Sequence, residues 1–276
     1  PVLWPGLLVL GLLAGCQPKT APPVAVTPDP QARLAELRAR AQAAPDDPAA
    51  LRDLGRALLE ENPAEAARNL RAALARDPKS DAWESLADLY DRRGYLDRHI
   101  EVCEARLAAV PDDARAMARL IPLMLRVADR ARADALDDAA TRLAPDDETV
   151  VAARANLYYS TLRFQKAVDV YTPLVGPGRA NPERWYRHSE LLRADGRYAD
   201  ALQAIDQALR LDQKNGLYHR QRAHILATQE KGADYAAAEA AARRALEMGD
   251  DSVDNRYWLA AAIEGQGKIP EAIAAY

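Results

Sequence analysis

The 276 residues carry 37 basic and 41 acidic side chains, a net charge of −4 with both signs mixed along the chain, and no basic stripe interleaved with aromatics, which argues against nucleic-acid binding. Hydrophobic residues make up 49% of the chain, enough for a sizeable core, but much of that share is alanine and there is one Phe against 11 Tyr. Such a composition suits closely packed helices and disfavours sheets, which draw on β-branched and aromatic side chains.

In chain order, residues 1–15 are uncharged and almost wholly apolar, long enough for the core of a signal peptide and shorter than the roughly 18 residues of a spanning helix. The basic leader is missing and the first residue is Pro, so the true start is expected upstream. Leu13-Ala14-Gly15-Cys16 resembles a bacterial lipobox. The resemblance implies lipidation of the Cys16 thiol, cleavage after Gly15, and a multi-chain anchor that holds far better than one acyl chain. Gln17 after the cysteine favours an outer membrane under the same resemblance. A simple secretory signal with an incidental cysteine is the alternative. The five prolines of residues 17–30 predict a stiff, extended spacer. Cys103, the other cysteine, sits in an apolar helical pattern and is read as a small core residue, so no disulfide is expected.

From about residue 46 onward, repeats dominate. Pro45, Pro78, Pro111 and Pro145 recur at intervals of 33, 33 and 34 residues, each after an Ala/Leu-rich run and most within "PDD". Each proline marks a helix end, and the acidic residues after it are placed to cap the next helix. Inside the units, Trp83, Leu86, Ala87, Tyr90 and Gly94, and again Trp185, Leu192, Gly196, Tyr198, Ala201, Ile205 and Ala208, fall at offsets that resemble the tetratricopeptide repeat. That resemblance implies an all-α, right-handed α-solenoid of helix–turn–helix units. Small residues such as Gly55, Ala87 and Ala201 would let paired helices approach, and Trp83, Tyr90, Trp185 and Ile205 would fill the space between pairs.

The resulting domain reading is a signal peptide over 1–15, a lipidated cysteine and linker over 16–30, and a solenoid of about seven repeats over 31–276, with a helix at 31–44 capping its start. The third unit places Pro122 inside a helix, where a kink or early break is expected. The last unit includes Ala272 and Tyr276, stops after about two turns of its second helix and has no polar capping helix after it, so a continuation is expected.

The sequence shows no phosphate loop, nucleophile elbow or zinc-helix motif. His219 and His224, five apart, do not share a helix face, and the four histidines are read as solvated or groove residues. No catalytic residue, metal or cofactor is assigned. By the family resemblance, groove-facing positions fall on Ala152, Asn156 and Tyr159, on Tyr186, Glu190 and Arg193, and on His219. These imply a protein or peptide client. The leading expectation is a lipid-anchored scaffold on the periplasmic face of a bacterial outer membrane, similar to pilotins of type IV pilus secretins or to outer-membrane assembly factors. The alternatives are a targeting arm for a catalytic domain beyond residue 276, and a cytoplasmic scaffold.

Overall fold

The computed structural model describes residues 29–176, 181–229 and 232–275. The segment read as a signal peptide, Cys16, residues 17–28 of the expected linker and Tyr276 lie outside them, while Asp29 and Pro30, the last two linker positions, already cap and open the first helix. Among the described residues there are fifteen α-helices and no strand. A single helix, α1 (Pro30–Ala43), precedes seven hairpins. These are α2 (Pro48–Ala57) with α3 (Pro63–Arg76), α4 (Ala82–Arg92) with α5 (Leu96–Ala109), and α6 (Ala114–Arg126) with α7 (Arg130–Leu143). Next come α8 (Glu148–Ser160) with α9 (Phe164–Tyr171), α10 (Pro182–Ala194) with α11 (Tyr198–Leu211), α12 (Gly216–Thr228) with α13 (Tyr235–Glu247), and α14 (Val253–Gly265) with α15 (Ile269–Ala275). Each second helix packs on the first helix of the next hairpin, so contacts stay between neighbours and the chain is a solenoid.

The "PDD" turns start the helices. Asp47 accepts from the Ala49 amide at 2.9 Å, Asp113 from Ala116 at 3.0 Å, and Asp147 from Thr149 at 2.9 Å. Asp81 departs from this pattern: its carboxylate makes no cap and instead pairs with Arg56 at 3.0 Å and Arg52 at 3.3 Å in the preceding hairpin. Ion pairs of this kind step from hairpin to hairpin. Arg115 reaches Asp147, Arg119 reaches Asp88, Arg132 reaches Glu104, Arg184 reaches Glu148 and Arg220 reaches Asp254.

The turn inside each of five hairpins carries one residue with positive φ, Gly267 in the last of them, and a bond from the following amide to a carbonyl five residues back closes it. Gly94 (φ 70°) and Gly196 (φ 77°) meet that need freely, while Ala128 (φ 60°) and Leu162 (φ 59°) adopt the same conformation against their preference. The closing bonds include Tyr95 to Tyr90 at 2.9 Å and Arg163 to Tyr158 at 2.8 Å. α6 runs through Pro122 to Arg126 without a break. The early end expected there does not occur: Ile121, Leu123 and Met124 around the proline are all buried and hold the helix from both sides.

The core runs along the solenoid as a series of clusters, among them one around Leu54, Leu70 and Leu86, one around Trp83, Leu120 and Leu157, and one around Leu191, Ile205 and Ile225. Trp185, expected to fill the space between hairpins, is only partly buried at the edge of the third. Gly55 shows what alanine-rich pairing demands: a Cβ there would stand 2.7 Å from Leu70 Cγ and 3.2 Å from the Ala66 carbonyl. Gly55→Ala is expected to cost about 1–2 kcal/mol, overpacking outweighing the gain in helix propensity. Urea denaturation checks this, with Leu70→Val in the same chain restoring part of the loss. A variant at least as stable as the parent would show that the helices do not need so close an approach.

Candidate functional site

The first helices of successive hairpins pack side by side, α6 on α8, α10 on α12 and α12 on α14, and present one face. Two depressions lie along it. The first, about 250 Å³, is lined by Tyr186, Glu190 and Arg193 of α10, Arg220 and His224 of α12, and Asp254 and Trp258 of α14. Positions 186, 190 and 193 share a face because they are spaced by one and two helical turns. The register of each helix is set by its cap: Asn181 Oδ1 accepts from Arg184, Asn215 Oδ1 from Leu217, and Ser252 Oγ from Asn255.

Tyr186 donates its hydroxyl to Glu190 Oε1 at 3.0 Å, and Arg187 holds the other carboxylate oxygen at 2.9 Å. Burial and the Glu190 charge push the Tyr186 phenol above its ordinary pKa, so it remains a donor. Arg220 is committed to Asp250 at 3.1 Å and Asp254 at 2.9 Å. His224 lies flat on Trp258, with ring centres 3.8 Å apart. Burial, together with the Arg193 and Arg220 charges, drives its pKa down to about 3, so the ring is neutral. Arg193 makes no ion pair among the described residues, and its Nε is buried without a partner. The depression therefore offers one uncommitted cation beside a neutral imidazole on an indole, and a phenol–carboxylate pair.

The second depression, about 740 Å³, brings together Pro122, Leu125 and Arg126 of α6, Asn156 and Tyr159 of α8, and Arg187 of α10. Arg187 bonds to Asn156 Oδ1 and lies 5.5 Å over the Tyr159 ring, whose edge meets Phe164. Arg187 thus links the two depressions, and nothing in the repeat pattern singles it out.

Five of the seven side chains expected on the groove face line these depressions. His219 does not. Its Nε2 lies 3.0 Å from the Gln213 carbonyl, in the turn before α12, and the side chains of α12 that line the depression are Arg220, Gln221 and His224. Counted from the capping residues, 186 and 190 stand five and nine places after Asn181, and 220 and 224 stand five and nine after Asn215. The cap carries the register. Ala152 packs against the core.

Two of the histidines expected to be solvated or groove-facing are buried. His99 and His188 are 5% and 8% exposed, since their rings fill core positions beside Asp91 and Thr172 respectively. Cys103 is fully buried and its thiol is pushed up to about 12, so it carries no thiolate at neutral pH. Among the described residues no three His, Cys, Asp or Glu side chains are grouped to hold a metal, and no helix is long and apolar enough to cross a membrane.

The family model described as "Tetratricopeptide repeat" matches residues 60–114, 152–216 and 228–276. No curated protein sequence matches the chain. Among solved structures, it is similar to one in the APC/C hetero-tetramer Cut9–Hcn1, with a TM-score of 0.70 and 16% identity over 84% of this chain and 46% of that one. It thus spans less than half of that relative. It is also similar to a tetratricopeptide repeat protein from Parabacteroides merdae (TM-score 0.65, 17% identity, 85% of this chain and 93% of the other). A third is pilF of Pseudomonas aeruginosa (TM-score 0.58, 17% identity, 73% and 90%).

Proposed function

The chain belongs to the tetratricopeptide repeat family, whose model matches more than half of it, and from that premise we propose that it is a non-catalytic scaffold that grips a protein segment along the face of its first helices. The observation that carries the reading is the depression between α10, α12 and α14: an uncommitted Arg193, a neutral His224 on Trp258, and Tyr186 with Glu190, all on rigid helices. Aromatic and arginine anchors in one partly desolvated hollow are the usual centre of a protein contact. The relative in the Cut9–Hcn1 hetero-tetramer is itself part of a protein assembly, which supports the general reading.

The finer reading is that this scaffold is lipid-anchored through Cys16 on the periplasmic face of a bacterial outer membrane and assists assembly of an envelope machine such as a type IV pilus secretin. It rests on the lipobox-like tetrad and proline spacer in the sequence, and the likeness in fold to pilF is consistent with it. Two experiments test it. Envelope proteins captured by the chain should be retained at least tenfold less well by Tyr186→Ala/Arg193→Ala, and equal capture would remove the groove assignment. A palmitate analogue should label the wild type and not Cys16→Ser, and a wild type that never labels sinks the anchor.

A further inference from the structure

Most arginines of this surface are matched by a carboxylate, and four of the unmatched ones gather in one place. Arg68 and Arg71 on α3, Arg93 in the turn after α4, and Arg98 on α5 converge on a cavity of about 460 Å³. Among the described residues none of the four makes an ion pair or a side-chain hydrogen bond. Arg71 and Arg98 instead lie 5.5 Å and 5.9 Å over the rings of Tyr90 and Tyr95. Glu61 is the one acid in the lining, and it too makes no ion pair.

The floor supplies an independent observation. Tyr90 lines this cavity, is 2% exposed, and its buried hydroxyl has no hydrogen-bond partner. An unmet buried hydroxyl costs about 1–3 kcal/mol, and four like charges around one hollow repel one another. The repulsion is relieved by one kind of occupant, a multiply charged oxyanion that accepts hydrogen bonds on every side, and a small shift of the Tyr90 ring toward it would give the buried hydroxyl its acceptor. A carboxylate would satisfy one guanidinium. A phosphate offers oxygens in tetrahedral directions, and guanidinium forks bind these in pairs.

We propose that the hollow between α3, α4 and α5 binds a phosphate group. It shares no residue with the groove of the first helices, so the phosphate-bearing molecule and a protein client can be held at once. The group can be carried by a soluble ester or by a phospholipid headgroup.

The test uses the full chain as Cys16→Ser, so that no acyl chain contributes, and the phosphatidylcholine vesicles report any binding by the apolar segment 1–15. Calorimetric titration with inorganic pyrophosphate reads the soluble source. Flotation with phosphatidylcholine vesicles, with and without phosphatidic acid, reads the headgroup. Arg68→Ala/Arg93→Ala is expected to weaken the binding at least tenfold, Tyr90→Phe severalfold, and Arg142→Ala, an arginine of α7 without an ion pair, not at all. Flotation that needs phosphatidic acid and is lost in the double variant assigns a headgroup. Pyrophosphate binding without flotation assigns a soluble ester. Binding of neither probe, or a loss in Arg142→Ala equal to that of the double variant, overturns the site.

Discussion

Trp83→Ala is expected to destabilise the chain by about 3–5 kcal/mol, well beyond the cost of Gly55→Ala. Trp83 is 2% exposed and packs in the cluster that joins the second and third hairpins, with Ala87, Cys103, Ala116 and Leu120 around it. Its ring lies between two guanidinium groups, Arg106 at 5.7 Å and Arg119 at 5.6 Å. Truncation opens a cavity at the boundary between repeats and removes both cation–π contacts, each worth about 0.5–2 kcal/mol. A solenoid's stability is a sum of repeat and interface terms. The loss is therefore concentrated at one interface, and the first two hairpins should melt ahead of the rest. Urea denaturation followed by circular dichroism, with hydrogen exchange to locate the early opening, measures both effects. Trp83→Phe should lose clearly less. A Trp83→Ala chain within about 1 kcal/mol of the parent, close to the scale of an ordinary surface change, would contradict the packing described.

The second large effect is acid destabilisation, starting well above the range in which carboxylates titrate. His188 lies between Tyr171 and Trp185, with Nε2 3.3 Å from Thr172 Oγ1 and Nδ1 unpaired. Burial, reinforced by Arg197 and opposed by Asp200, pushes its pKa down to about 4, and His224 falls to about 3. His99 is lowered by burial as well, against the pull of Asp91. In the unfolded chain these rings take up protons near pH 6.5. Between that pH and about 4 the unfolded state therefore binds more protons, and stability rises with pH. The contribution is complete above about pH 6.5 and is lost as the pH falls toward 4 and below. For His188, a discounted figure of about 2 kcal/mol is expected. Asp137, whose pKa is raised by burial, works in the opposite sense. Asp81, Asp147 and Glu239 are lowered and lose their contribution only at more acid pH. Thermal melts at about pH 7.5 and about pH 4.5 should separate widely in the parent and draw together in His188→Phe/His224→Phe. An unchanged separation would mean that other groups control the acid limb.

These effects mark where sequence reasoning reaches and where it stops. The repeat phase is legible because Pro45, Pro78, Pro111 and Pro145 and the aspartates after them do local work, ending one helix and starting the next. Gly55 and Ala87 are legible for the same reason, since close approach restricts side-chain size whatever the neighbours are. The histidines are not, because burial of an imidazole depends on which side chains cover it: Tyr171 and Trp185 in one case, Trp258 from the next hairpin in the other. Pro122 misleads because a proline's local cost is outweighed by the packing of Ile121, Leu123 and Met124. On the groove face, His219 is displaced by one position: Arg220, five places after the cap Asn215, holds the place that Tyr186 holds after Asn181. Arg187 and the Arg68–Arg98 hollow are assembled from residues far apart in the chain, which no single repeat pattern exposes.

The ion pairs that step from hairpin to hairpin have a consequence for how such a chain changes length. Arg115 with Asp147, Arg119 with Asp88 and Arg220 with Asp254 each join residues about one repeat apart. Singly, such exposed pairs add about 0–1 kcal/mol. Their spacing, however, equals the duplication unit. The acids nonetheless do not recur from hairpin to hairpin: Asn181 stands at the cap position that Asp147 holds one unit earlier, and Leu54 and Leu120 stand where Asp88 does in its own hairpin. The ladder therefore ties each hairpin to its present neighbours, and loss of a whole unit leaves the arginines on either side of the gap without their acids.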